Sequence, residues 1–218
     1  MNKQWTEDKA VETEVDGGRD APAPDRVLII ACGALAREIL ATIEAGRLDH
    51  IDLTCLPALL HNRPEKIPEA VREAVRKGRD KGYRTIAVGY ADCGTGGLLE
   101  KVCAEEGVEM MAGPHCYAFF SGTDAFLERG DADFDAFFLT DFLARQFETL
   151  IIKGLGIDRH PELKDIYFAH YRRLIFLEQK ADPALEAKAR AAAETLGLAF
   201  EKRVTGYGDL ATFVQQMR

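Results

Sequence analysis

"RVLIIACGALAREILATIEAG", residues 26–46, decides the fold. Its first seven residues form a short, nearly continuous apolar run with β-branched members, which predicts a buried strand. Leu35, Ile39 and Ile43 then recur at four-residue spacing, which predicts a helix with Gly46 as its stop. A strand that passes into a helix through Cys32-Gly33 is half of a βαβ unit. The same grammar recurs downstream. "IDLTCL" (51–56) predicts a second strand, followed by the three-proline loop "PALLHNRPEKIP" and the helix "EAVREAVRKGRDKG". "RTIAVGY" (84–90) predicts a third strand, the glycine run at 94–97 opens a third helix over about 96–106, and "VEMMAG" (108–113) predicts a fourth strand.

From "GPHCYAFFSG" onward the chain turns aromatic and mostly helical, through roughly residue 171, with Phe138 and Phe142 read as core at helical spacing and Thr140 as an N-cap. Alternation then returns with "RRLIFLEQ", "PALEAKARAAAETLG", "LAFEKRV" and "YGDLATFVQQM". Alternating strands and helices with crossovers this long predict an α/β fold: a mainly parallel sheet covered by helices on both faces, with a helical aromatic-rich insertion or lid. Residues 26–218 form either one α/β domain or two lobes, 26–116 and 117–218.

The chain has 218 residues and a net charge of −8. Half of that charge lies in residues 1–25, where seven acids face three bases, giving −4. This acidic stretch, with Gly17-Gly18 and "APAPD", is expected to be disordered. An acidic chain without a basic stripe argues against nucleic acid and anionic membrane surfaces as partners. No stretch approaches the roughly 20 apolar residues of a membrane span, and the N-terminus lacks the apolar core of a signal peptide. The expected location is cytoplasmic. There, five cysteines are read as thiols, metal ligands or catalysts rather than disulfides.

Three of those cysteines share a place in the pattern. Cys32 ends strand one, Cys93 follows strand three and Cys116 follows strand four. In a parallel sheet all three emerge on the carboxyl edge, where open α/β folds bind ligands. His115 adjoins Cys116, and His61 lies in the loop after strand two, on the same edge. A single buried cysteine is ordinarily a small hydrophobe, which is the reading for Cys55 and Cys103. Three on one edge, two of them followed by glycine, turn the reading toward a ligand set. Thiolate and imidazole suit zinc or an iron-sulfur cluster. The expected metal ligands are Cys32, Cys93 and Cys116, with His61 or His115 supplying or supporting a fourth position. Helix N-termini after Cys32 and Cys93 would favour their thiolates. "CGTGG" (93–97) is also a candidate anion cradle, in which Gly94, Gly96 and Gly97 offer backbone N–H groups to a small anionic ligand. Asp92 either orients a ligand imidazole or caps the turn.

The blocks "ACGALAREI", "LPALLHNRPEKIP", "YADCGTGGLLEKV", "GPHCYAFFSG", "LTDFLARQF", "GLGIDRHPEL" and "YFAHYRR" together resemble the bacterial and archaeal family known as Domain of Unknown Function 1638, from about Arg26 onward. The resemblance carries no settled activity. It implies an association with corrinoid-dependent methyltransferase systems, and so a role in one-carbon metabolism. Two readings follow. One is a metal-assisted methyl- or sulfur-transfer enzyme using zinc, or alternatively a [4Fe-4S] cluster. The other is a non-catalytic accessory that handles metal or corrinoid and binds a methyltransferase partner.

Overall fold

The computed structural model describes residues 7–217. They divide into two compact units, Met1–Cys116 with Leu210–Arg218, and Tyr117–Asp209.

The first unit is built on a four-stranded, wholly parallel sheet in the order β2-β1-β3-β4. The strands are β1 (Val27–Cys32), β2 (Ile51–Leu56), β3 (Thr85–Gly89) and β4 (Glu109–Met110). Every residue of β1 is buried, as its apolar run predicts. Helices α2 (Ala36–Gly46), α3 (Ile67–Lys81) and α4 (Leu98–Glu106) supply the crossovers. The path from β1 to β2 runs one way across the sheet, and the paths from β2 to β3 and from β3 to β4 run the other. With right-handed crossovers, α2 therefore covers one face while α3 and α4 cover the other. Gly78 lets α3 lie close on the sheet, since a Cβ there would stand 2.7 Å from Leu28 Cδ2. Glu106 at the end of α4 accepts bonds from Arg72, Arg76 and Arg79 of α3, which ties the two helices together.

The N-terminal stretch, read from the sequence as disordered, has contacts with the sheet among its described residues. Residues 1–6 lie outside the described residues, but Glu7–Glu12 forms helix α1, with Ala10 and Val11 buried. Val15 then exchanges both backbone hydrogen bonds with Cys55, at 2.8 and 2.9 Å, as an antiparallel bridge on the outer edge of β2. Acidity here is met by distant bases: Asp16 bonds Lys81 at 2.5 Å and Glu14 bonds Lys77 at 2.7 Å. An open edge strand needs a cover, and this segment provides one.

The second unit holds a three-stranded parallel sheet, β5 (Ala136–Thr140), β6 (Arg173–Glu178) and β7 (Ala199–Val204), in chain order. Helices α5 (Ala118–Ser121), α6 (Thr123–Glu128), α7 (Asp141–Arg145), α8 (Glu162–Tyr167) and α9 (Pro183–Leu196) surround it, and α10 (Gly208–Gln216) leads back to the first unit. The aromatic region is thus not wholly helical. Phe138 belongs to β5, where alternation sends neighbours to opposite faces. Phe138 stacks on Tyr117 at 5.3 Å on one face, and Phe137 meets Phe168 at 5.1 Å on the other. Thr140 does cap α7, accepting from Leu143 N–H at 3.3 Å. Among the described residues, no helix is long and apolar enough to cross a membrane.

Candidate functional site

The strand order gives the first unit a topological switch point. β1 and β3 are neighbours, and the chain leaves their carboxyl ends in opposite directions, which opens a crevice between their loops. Cys32 ends β1 there, and Tyr90, Ala91, Asp92 and Cys93 follow β3.

The loop after β3 is clamped to the one after β4. Asp92 N–H donates to Gly113 O at 3.1 Å and Cys93 N–H to Pro114 O at 2.9 Å. This brings Cys93 and Cys116 near enough for each thiol to act on the other. The Cys116 S–H donates to Cys93, lowering the Cys93 pKa against the opposing effect of burial, and the Cys116 and Ala91 N–H groups add to it. The Cys116 thiol goes well up, because it gives that bond and is buried beside the Cys93 and Cys32 sulfurs.

Cys32 lies close enough to both sulfurs to feel their charge. A helix N-terminus was expected to favour its thiolate. The Ala34 N–H does contribute in that sense, but burial outweighs it and pushes the thiol up to about 12. Cys93 is not at a helix mouth at all, since α4 begins only at Leu98. Its lowered pKa comes from the neighbouring thiol and two amides instead. Cys55 and Cys103 are buried packing residues, as read from the sequence.

A sequence reading passes over Tyr90, because an aromatic ending an apolar run looks like core. The ring is indeed fully buried. Its hydroxyl, however, lies beside the Cys32 thiol without a hydrogen bond of normal geometry to any partner. Burial, then the nearby sulfurs, hold its pKa well above the ordinary phenol value.

The glycine run serves the turn itself. Cys93 has φ +49°, and Gly94, Gly96 and Gly97 have φ +83°, +64° and +83°. Only glycine adopts this left-handed region without cost, so Cys93 is the strained member. The N–H groups expected to cradle an anion face an internal one: Asp92 accepts from Gly97 N at 2.7 Å, Gly96 N at 3.2 Å and Thr95 Oγ1 at 2.8 Å. Burial would raise the Asp92 carboxyl, but these donors, with Gly94, hold it below its usual value. Asp92 is the cap of the turn. Gly94 rests on Pro64 of the β2 loop, where a Cβ would meet ring carbons at 3.6 Å.

His61 and His115 are near enough for each other's charge to matter for His61, and Asp92 acts on His115. His61 keeps a face to solvent, yet the protein packed around it lowers its pKa, with His115 adding to the effect. Burial lowers that of the half-buried His115, with Asp92 opposing. Both imidazoles are therefore held toward the neutral form, the one that binds metals. Helix α1 packs on the turn after Cys32: a Cβ on Gly33 would stand 2.3 Å from Ala10 O. Among the described residues, no group of three or more His, Cys, Asp or Glu side chains stands arranged to hold a metal ion. What the structure brings together is a thiol pair with a third thiol and a phenol beside it.

A family described as "Protein of unknown function (DUF1638)" matches residues 55–214. The match includes His61, Cys93, Gly94, Gly96, Gly97, His115 and Cys116, and it begins after Cys32. No curated protein and no solved structure matches the chain.

Proposed function

The chain belongs to the DUF1638 family of proteins of unknown function, and on that premise we propose that it is a metal-thiolate protein of one-carbon metabolism. Cys32, Cys93 and Cys116 supply the sulfur ligands. His61 or His115 supplies or supports a fourth position. The observation that supports this reading is that Cys32 ends β1 at the switch point while the Asp92 N–H to Gly113 O and Cys93 N–H to Pro114 O bonds clamp the Cys93 and Cys116 loops together beside it. Binding requires the Cys32 side chain to close on that pair. Zinc is the first choice because imidazole is at hand, and a [4Fe-4S] cluster is the alternative. Bound there, either metal acts as a Lewis acid, with zinc stabilising a thiolate for methyl or sulfur transfer. The protein's own part is to exclude water on the Cys32 side and to hold the sulfurs at the strand ends. A cytoplasmic location, a small-molecule or anionic ligand and a corrinoid methyltransferase partner belong to the same proposal.

The test is elemental analysis of protein purified without oxygen. One zinc per chain in colourless protein supports zinc, and a brown protein with iron and sulfide supports the cluster. Cys32→Ser, Cys93→Ser and Cys116→Ser are each expected to lose the metal. Cys103→Ser keeps it but loses about 1–3 kcal/mol of stability by burying a hydroxyl in α4. Protein that carries no metal and takes up none when zinc or iron and sulfide are supplied overturns the proposal. Demethylation of methylcobalamin by a thiol in the presence of the loaded protein, followed by visible absorbance, separates the enzyme from a non-catalytic accessory.

A further inference from the structure

The outer edge of β2 has a cover in the segment around Val15. β7, at the end of the second sheet, has none: among the described residues no strand pairs with its outer side. Ala199 and Thr205 donate their N–H groups inward, to Arg172 O and Glu178 O at 3.0 Å each. In a parallel ladder every second residue faces the same neighbour, so Glu201 and Arg203 also turn their backbone groups to β6. Phe200, Lys202 and Val204 therefore hold their N–H and C=O groups outward. The strand ends on an apolar side chain in solvent, with Val204 75% exposed. β5, at the other edge of the sheet, is better covered, with Ala136, Leu139 and Thr140 buried. A bare edge of this kind is a template for another strand.

We propose that β7 is a dimerisation strand, which pairs antiparallel with β7 of a second copy of this chain across a two-fold axis at Lys202. Phe200 then stands opposite the partner's Val204, and Lys202 opposite the partner's Lys202. These are the residues with outward backbone groups, so each pair exchanges two hydrogen bonds. Glu201 stands opposite the partner's Arg203 in the closer, non-hydrogen-bonded kind of pair, and the symmetry makes that contact twice. Within one strand Arg203 already bonds Glu201 at 2.7 Å, so pairing closes a ring of four alternating charges. Arg173 holds Glu201 at 2.9 Å and Asp133 holds Arg203 at 2.6 Å, which fixes the ring in place. The edge is thus self-complementary in charge and in apolar character. Adjacent registers are not. Moving the axis one residue back sets Glu201 against the partner's Glu201, and one residue forward sets Arg203 against the partner's Arg203, like charges in direct opposition. The two lysines that meet at the axis are each matched within their own chain, by Glu186 at 2.7 Å and Glu178 at 3.5 Å.

Sedimentation velocity of the full chain in reducing buffer, at about 10 and about 200 μM, tests this. Wild type is expected to move toward twice the 24.2 kDa of one chain as concentration rises. Lys202→Pro is expected to raise the dimer dissociation constant about tenfold or more, because it removes both bonds at the axis. It spares the sheet, since the N–H it deletes points outward and makes no bond to β6, and an unchanged circular dichroism spectrum checks that. Lys202→Cys reads the register directly. Residues opposite each other in a hydrogen-bonded pair have Cα atoms about 5.5 Å apart, within the span of a disulfide. Mild oxidation is therefore expected to link two Lys202→Cys chains through the introduced thiols, and to link Glu201→Cys chains far more slowly. Wild type that stays a monomer at about 200 μM overturns the proposal and leaves the edge to a strand of another protein. So does a dimer that Lys202→Pro leaves as tight as before, and so do Lys202→Cys chains that link no faster than Glu201→Cys chains. The link in Lys202→Cys decides the matter even if the proline variant fails to fold.

Discussion

A buried hydroxyl without a hydrogen-bond partner costs about 1–3 kcal/mol, and Tyr90 carries one. Tyr90→Phe is therefore expected to stabilise the metal-free protein by about 1–2 kcal/mol, measured by urea unfolding. For the proposed metal site, the same change is expected to weaken binding about tenfold. A Cys32 thiolate bound to metal would be a far better acceptor for the phenol than the buried thiol, so the hydroxyl would find its partner there. A Tyr90→Phe protein less stable than wild type by about 1 kcal/mol would show that the hydroxyl is already satisfied. Nothing at this scale was open to the sequence. Tyr90 follows "TIAVG" as any core aromatic would, and an orphaned oxygen is a property of what surrounds it.

The loop from Asp92 to Gly97 behaves as one element. Cys93 is the non-glycine in a run of left-handed residues, and its Cβ carries the steric cost of that conformation. Cys93→Gly is expected to be more stable than Cys93→Ala by about 1 kcal/mol, because both lack the sulfur and only alanine keeps the Cβ. Equal unfolding midpoints for the two would mean that the loop relaxes in solution. Backbone strain held at a single residue is a common mark of a functional position. The glycines were legible as a turn, and their left-handed φ values agree with that. Their occupant was not: an anion cradle and an aspartate-capped turn demand the same glycines, and only coordinates show Asp92 already seated. Strands with continuous apolar runs, such as β1, were legible because burial on both faces leaves no other pattern. Phe138 was misjudged because its four-residue spacing to Phe142 spans a strand end and a helix start, capped at Thr140 between them. In the segment before Arg26, Glu14 and Asp16 pair with Lys77 and Lys81, more than sixty positions away, which no local pattern announces.

At the scale of the molecule, Asp52 joins parts of the first unit that are distant in sequence. It accepts from Arg26 at 2.6 Å, Tyr83 at 2.6 Å and Arg19 at 3.0 Å. Burial alone would raise its carboxyl, but these bonds outweigh burial and hold it below the usual value. A carboxyl lowered by folding contributes stability that is present above its unfolded pKa, near ~3.9, and is lost as pH falls through the folded value. Asp52→Asn is expected to cost about 3 kcal/mol at pH ~7, and the gap to wild type is expected to narrow below pH ~4. A gap that stays constant across that range in urea titrations would assign the loss to packing instead. Which strands neighbour one another was beyond the sequence, since no local signal states that β1 sits between β2 and β3. That order shapes how the chain is made. Of these four strands β1 is made first and is an interior one, β2 then docks on one side, β3 on the other, and β4 beyond it. The second sheet likewise adds its strands in turn. No pair has to open to admit a later arrival, so both sheets are suited to assembly during synthesis. The first unit still waits for Leu210–Arg218, where Met217 O meets His50 Nε2 at 2.7 Å. Its three thiols therefore lie in a unit that is completed only after the second unit has been translated.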